Sequence, residues 1–407
     1  MSKNKKSILI IGTGSLLNYG CEAIVLGTYE IIKRYLPEYA LYLASDNLDY
    51  DKTILPPDIN IISYKRRFTL YRIWKGILRR FLHIGNGSVV HMNYNIGKRF
   101  DIVLSCGGDN FCEAPGGNLY TLLEDLIQVG NVAYRHNRKY ILWGASIGPF
   151  HNPKNYQKVI NNLQKADAIC VRENLSFQYL IQEVTLKNKV QLIADPAFCM
   201  KPDFKINFEK KPQNIYIGLN LSLLSIGHTI EEVQRADFIN QLFINLDNIL
   251  TNNPNYAFVC IPHVVIEDMP AQNDNIILKM YQQASKYPDR IIRLPDSIGS
   301  AKTKGYIAQM DALIATRMHC CVGGISTAVP TLFVTYSNKG SGMSFYAYHH
   351  HKYEVAVPEL VTDKFIEILN TIIKDRQEIH QFLKSRTKEF EQDSMRGGAI
   401  LKNIAES

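Results

Sequence analysis

The sequence predicts an α/β chain of two Rossmann-like domains facing each other across a cleft. Three observations carry this expectation. Short apolar runs alternate with helix-length amphipathic stretches along most of the 407 residues, the pattern of parallel sheets covered by helices. The alternation stops at the polar stretch 201–213 and then restarts. A chain of this length also exceeds what one hydrophobic core ordinarily serves. We therefore expect domains 1–205 and 206–407, divided near residue 205.

The elements follow in order. Residues 7–12 read as a strand and 21–36 as a helix closed by Pro37. Further strands of the first half fall at 41–44, 101–105, 139–144, 168–171 and 190–194, with helices at 118–137, 156–166 and 175–183. In the second half, strands are expected at 215–220, 257–261, 291–294, 312–315 and 331–334. Helices are expected there at 229–250, 301–310, 319–327, 362–373 and 375–390. Ligands of open parallel sheets bind beyond the carboxyl ends of the strands, so the site is expected in the cleft.

Composition narrows the function classes. Hydrophobic content of 46% with 21% charged residues excludes long disorder. Residues 59–100 contain no Asp or Glu, and their nine Lys and Arg account for the whole net charge of +8. This local concentration argues against a nucleic-acid partner, which requires a broader basic face. Within it, segment 65–83 reads as a basic amphipathic helix. Leu70, Trp74, Ile77, Leu78, Phe81 and Leu82 share one face, and Arg72, Lys75, Arg79 and Arg80 lie largely on the other. Such a helix suits peripheral contact with an anionic membrane surface, or packs as a surface helix on its own domain.

The eight cysteines form no CxxC pair, which fits a reduced cytoplasmic setting and disfavours zinc. Lys3, Lys5 and Lys6 ahead of the apolar run 8–11 mimic a signal peptide. Gly12 to Ser15 interrupt that run, so it reads as the first strand. Residues 318–338 contain Gly323, Gly324 and Pro330 and read as helix, turn and strand, not a membrane span. His349, His350 and His351 read as a loop tract, because no acidic cluster flanks them. No metal and no cofactor are expected.

Six motifs end predicted strands. The loop Gly12-Thr13-Gly14-Ser15-Leu16-Leu17-Asn18-Tyr19-Gly20, followed by Cys21-Glu22-Ala23, joins strand to helix. Its glycines permit close backbone approach to a ligand, or serve only the turn. Glu22 also suits the helix dipole. Gly107-Gly108-Asp109 offers a ligand-lining turn, Asp109 accepting a sugar hydroxyl proton or capping. Residues 143–150, ending Gly148-Pro149-Phe150, by themselves indicate a turn. Arg172, before Glu173 and Asn174, suits a bidentate clamp on phosphate or carboxylate, or an ion pair with Glu173. Asn174 is the expected N-cap. His263, just after the strand at 257–261, is a lone histidine with a structural role or a catalytic one, which Asn273-Asp274 could orient. Arg317 and His319, two residues apart, place a cation beside an imidazole suited to proton transfer near neutrality.

In this order the motifs resemble the polysaccharide pyruvyl transferase family over residues 7–345. The resemblance rests on Asn18–Ala23, Gly107-Gly108-Asp109, Ile147-Gly148-Pro149-Phe150 and Arg172-Glu173-Asn174-Leu175-Ser176. Ala194-Asp195-Pro196-Ala197-Phe198, Pro262-His263, Arg317-Met318-His319 and Tyr336-Ser337-Asn338-Lys339 complete it. The resemblance implies a GT-B-like shape. It also implies a transferase that moves pyruvate from phosphoenolpyruvate, a co-substrate, onto two sugar hydroxyls as a ketal, without metal. His319, Arg317 and Arg172 then carry catalysis and donor binding. Gly14, Asn18, Gly20, Glu22, Gly107, Gly108, Asp109, His263, Ser337 and Lys339 are the expected donor and acceptor contacts. The first half becomes the acceptor side and the second the donor side, with a glycan or lipid-linked sugar as partner. Two departures stand out. Cys21 occupies a position usually held by Asp, and Glu173 follows Arg172 where Asp is usual. The alternatives are a GT-B glycosyltransferase using a nucleotide sugar and a non-catalytic carbohydrate-binding protein.

Overall fold

The structure, a computed structural model, describes residues 5–65, 92–106, 108, 110–113, 117–184 and 186–407. Gly107, Asp109 and the basic segment 65–83, apart from Lys65, therefore lie outside the described residues.

Two parallel sheets organise the chain. The first contains β1 (Ser7–Ile11), β2 (Ala40–Ser45), β3 (Ile59–Ser63), β4 (Ile102–Cys106), β5 (Lys139–Ala145), β6 (Ala168–Val171) and β7 (Val190–Leu192). Their spatial order is β3-β2-β1-β4-β5-β6-β7. The second contains β8 (Ile215–Asn220), β9 (Tyr256–Cys260), β10 (Ile291–Arg293), β11 (Ala312–Ala315), β12 (Thr331–Thr335) and β13 (Glu354–Ala356), in the order β10-β9-β8-β11-β12-β13. Strand order reverses between β1 and β4 in one sheet and between β8 and β11 in the other. At such a switch point successive crossovers leave in opposite directions and open a crevice beyond the strand ends.

The helices are α1 (Tyr19–Tyr35), α2 (Leu48–Ile54), α3 (Thr121–Arg135), α4 (Pro153–Leu163), α5 (Asn174–Gln178), α6 (Leu223–Thr229) and α7 (Arg235–Asn252). They continue as α8 (Asp274–Ala284), α9 (Ser300–Ile307), α10 (Met318–Ser326), α11 (Asn338–Tyr348), α12 (Asp363–Lys374) and α13 (Arg376–Glu406). No described helix is long and apolar enough to cross a membrane.

Central strands are buried on both faces, as covered parallel sheets require. Ile8 to Ile11, Val103, Leu104 and residues 140–143 are essentially inaccessible. Trp143, fully buried, satisfies its indole N–H on Thr28 Oγ1 (2.9 Å).

Several elements depart from the sequence expectation. The helix expected over 229–250 begins only at Arg235, as α7, after an extended Ile230 and a 3-10 turn at Glu232–Gln234, and α6 precedes it as a separate short helix. α8 and α11 carried no periodic signal strong enough to mark them. The closing helix expected over 375–390 continues to Glu406. Its last turns return to the first sheet, where Gly397 and Gly398 lie on Trp143 and Tyr35. The Ser394 hydroxyl donates to the Asp195 carbonyl (2.9 Å).

Candidate active site

The site assembles at the two switch points. Loop 12–20 leaves β1, Gly108 follows β4, Arg172 follows β6, and Arg317 and His319 follow β11. A short strip of backbone joins the halves. Asn18 and Val264 form an antiparallel bridge, Tyr19 N–H donates to the His263 carbonyl (2.9 Å), and Val265 N–H donates to Leu17 (2.9 Å).

Asp195 is the centre of the cluster. It is wholly buried, and its Oδ2 accepts from Arg172 Nη1 at 2.7 Å. His319 Nε2 lies 3.3 Å from the same oxygen and 3.2 Å from Arg172 Nη1. A guanidinium only donates and a carboxylate only accepts. Arg172 Nη1 and His319 Nε2 thus both lie against Oδ2, and with Nε2 protonated the imidazole donates to the carboxylate. Burial pushes the Asp195 carboxyl up, but His319 and Arg172 outweigh it and hold it well below the usual range. Oδ1 accepts from Ala197 N–H (2.9 Å). Arg172 Nε donates to Ser146 Oγ (3.1 Å), and a Cβ on Gly108 would lie 3.5 Å from Nη2.

The other ring nitrogen of His319 faces α1. A Cβ on Gly20 would overlap Nδ1 and come within 2.8 Å of Cγ and 3.1 Å of Cβ. Glycine is required here for close approach, not for an unusual backbone angle. Asn18 spends its side chain on the helix, Oδ1 accepting from Gly20 N–H (3.0 Å). Gly14 takes a left-handed φ of +72°, and a Cβ there would meet open space.

Arg317 is held by a second buried carboxylate. Asp274 Oδ1 accepts from Arg317 Nε (3.1 Å) and Nη2 (2.8 Å), and the Gln272 carbonyl also accepts from Nη2 (2.7 Å). Asp274 Oδ2 accepts from the backbone N–H of His263 (2.9 Å) and Val264 (3.1 Å) and from Asn220 Nδ2 (3.1 Å). Asn220 Oδ1 in turn accepts from Arg317 N–H (2.9 Å). Asp274 thus fixes the His263 backbone, not its imidazole.

Each arginine is already paired, as burial of a guanidinium demands. Arg172 forms an ion pair with Asp195. Glu173, not Asn174, caps α5 through Ser176 N–H (3.1 Å). Asp195, Asp274, Asn220 and Ser146 escaped role assignment from sequence. The available signal was charge balance, since a buried Arg172 and a half-buried Arg317 each need an acid beside them.

Among the remaining expected contacts, Ser337 holds the N-cap position of α11 without a side-chain cap bond, and Lys339 lies in the first turn. Both follow β12, the parallel neighbour of β11, so they share the strand-end edge with Arg317. Glu22 is 1% exposed and accepts from Ser300 N–H (2.8 Å) at the start of α9. It links the two halves across their seam. No group of three metal-ligating side chains occurs among the described residues.

Burial pushes the Glu22 carboxyl up to about 8, against the Ser300 N–H, which lowers it. The folded chain thus holds a proton that the unfolded chain releases near 4.5. Stability is expected to fall as pH rises from about 4.5 to about 8. Glu22→Gln should flatten that slope and raise the thermal midpoint at pH 9 by several degrees. Parallel midpoint curves for the two proteins between pH 5 and 9 would refute this.

Two doubly wound parallel sheets with a polar cluster between their switch points define a GT-B-like enzyme. The polysaccharide pyruvyl transferase family model matches residues 18–338, and the chain belongs to that family, a family of transferases. No curated protein matches it in sequence. Among solved structures it is similar to a UDP-GlcNAc 2-epimerase from Neisseria meningitidis bound to UDP-GlcNAc. That match has a TM-score of 0.58 and 11% identity and covers 99% of this chain and 100% of the other. A putative UDP-N-acetylglucosamine 2-epimerase from Listeria monocytogenes gives a TM-score of 0.55 at 13% identity, covering 94% and 91%. The glycotransferase of kitacinnamycin gives 0.53 at 9%, covering 98% of each chain. At these identities the likeness is one of fold.

Proposed function

We propose that the protein transfers the pyruvate unit of phosphoenolpyruvate to a sugar of a polysaccharide or its precursor, forming a pyruvate ketal. The observation that supports this most directly is the Arg172–Asp195–His319 cluster with Arg317 two residues away. Two guanidinium groups at one strand-end edge suit bidentate recognition of a small polyanion. α10 opens without a side-chain cap, so its first backbone N–H groups and positive dipole end favour phosphate or carboxylate.

The methylene carbon of the enol takes a proton and becomes methyl, leaving an oxocarbenium-like centre at C2. A sugar hydroxyl attacks C2 and loses its proton, and the C2–O bond to phosphate breaks. A second hydroxyl attacks and closes the ketal. Of the two hydroxyl protons, one replaces the proton given to the methyl group and the other leaves on hydrogen phosphate. His319, held against Asp195, moves protons between donor and acceptor. Arg172 and Arg317 orient the donor and stabilise charge on the departing phosphate. Ser337 and Lys339 extend the donor side, while Gly14, Asn18 and Gly20 line the acceptor side. The enzyme is placed in the cytoplasm, with segment 65–83 in peripheral contact with the membrane and a lipid-linked sugar within reach.

The test is incubation with phosphoenolpyruvate and a glycan panel, read by mass for the ketal and by phosphate release. Thermal shift against phosphoenolpyruvate and nucleotide sugars accompanies it. Ketal formation with stabilisation by phosphoenolpyruvate is expected. Stabilisation by a nucleotide sugar alone, without ketal, would replace this reading with glycosyl transfer.

A further inference from the structure

Resting on the transferase reading, we infer that His263 is the acceptor-recognition residue, a neutral imidazole that hydrogen-bonds the sugar hydroxyls through both ring nitrogens. His263 is 5% exposed, and among the described residues neither Nδ1 nor Nε2 has a hydrogen-bond partner. A buried polar atom left unpaired costs about 1–3 kcal/mol, so two on one ring need an explanation. The backbone around the ring is heavily constrained. Asp274 accepts from its N–H and from that of Val264, and its carbonyl accepts from Tyr19 N–H. Tyr19 also stacks edge-on against the imidazole at 5.9 Å between centroids. The backbone is fixed while the polar edge is unsatisfied, as in a site awaiting its ligand.

The position selects the ligand. His263 lies on the seam between halves and interacts electrostatically with both His319 and Arg317. Burial first, then those two neighbours, push its pKa down to about 3. It therefore carries no charge near neutrality and is no proton donor to the enol. A neutral imidazole offers one N–H and one lone pair. Phosphate or carboxylate oxygens satisfy only the N–H and repel the lone pair. Hydroxyls satisfy both, one accepting and one donating. The reaction needs two hydroxyls held near C2, and His263 is a fixed two-point contact for them, with His319 taking the protons.

Two variants test the assignment. His263→Leu removes both unpaired atoms at similar volume, and His263→Gln retains a donor and an acceptor. The acceptors are p-nitrophenyl glycosides of galactose, glucose, mannose and N-acetylhexosamines, and the donor is phosphoenolpyruvate. His263→Leu is expected to raise the ligand-free thermal midpoint and to raise the acceptor KM about tenfold or more. The KM for phosphoenolpyruvate should stay within about twofold, and His263→Gln should recover part of the acceptor KM. In ring-15N-histidine spectra of the wild type, His263 resonances should move on adding the accepted glycoside and not on adding phosphoenolpyruvate. A rise confined to the donor KM, or spectra responding only to phosphoenolpyruvate, would overturn the acceptor assignment while leaving the transferase reading intact. So would a destabilised His263→Leu with unchanged acceptor KM. Absence of ketal from wild type with every glycoside and every glycan in the panel would remove the transferase reading itself, and this inference with it.

Discussion

Asp195→Asn is expected to lower turnover by roughly 10³–10⁴-fold, the scale seen when the carboxylate behind a catalytic histidine is removed. The reason is geometric. One buried oxygen, Oδ2, receives Arg172 Nη1 at 2.7 Å and faces His319 Nε2 at 3.3 Å. An amide nitrogen at that place would confront two donors, and an amide oxygen would lack the charge that offsets a buried guanidinium. The imidazole then loses the carboxylate that orients it in the cluster. Stability should fall too, by about 3–5 kcal/mol, as when one member of a buried pair is lost.

The pH signature separates this carboxylate from an ordinary one. Asp195 is held well below the usual range in the fold. Its contribution is therefore complete above the unfolded value of roughly 3.9 and is lost as pH falls through the lower, folded value. Wild type should lose stability steeply below about pH 4, whereas Asp195→Asn should start lower and decline less. Thermal midpoints from pH 3 to 7 and kcat across pH 6 to 9 check both effects. A variant within threefold of wild-type kcat would show that His319 does not depend on Asp195.

Gly20→Ala is expected to cost about 100-fold in kcat, a loss ordinary for catalytic groups displaced by about 1 Å. The new methyl would overlap His319 Nδ1 and Cγ. Gly20 lies in the first turn of α1 with its N–H held by Asn18, where alanine is favoured over glycine by roughly 0.5–1 kcal/mol in helical backbone. The helix should therefore persist, and the strain should fall on the imidazole. Isothermal titration should show phosphoenolpyruvate binding within about threefold of wild type, since Arg172 and Arg317 are anchored independently. Equal loss of binding and turnover would instead mean that the α1 loop itself had moved.

Much of this was legible along the chain. Alternating apolar and amphipathic stretches require parallel sheets, because each strand must bury both faces and each helix one. Most strands were recognised, and β3 and β13 were not: they are short edge strands, and the apolar signal of β3 merges into the acid-free stretch after it. α8, with Asp274 at its first position, was obscured by the polar run preceding it. Arg172, His263, Arg317 and His319 could be singled out because reactive side chains at strand ends in such folds face the crevice.

The sequence by itself determined the residue types at the strand ends and the two-sheet architecture that lines them up. Only the tertiary structure decided which charges pair. Asp195 lies 23 residues from Arg172, and Arg172 lies 147 from His319. Asp274 lies 43 residues from Arg317. Local pattern carries no record of such pairings. They are dictated where two switch points meet, because a buried guanidinium is tolerated only when folding brings a carboxylate to it.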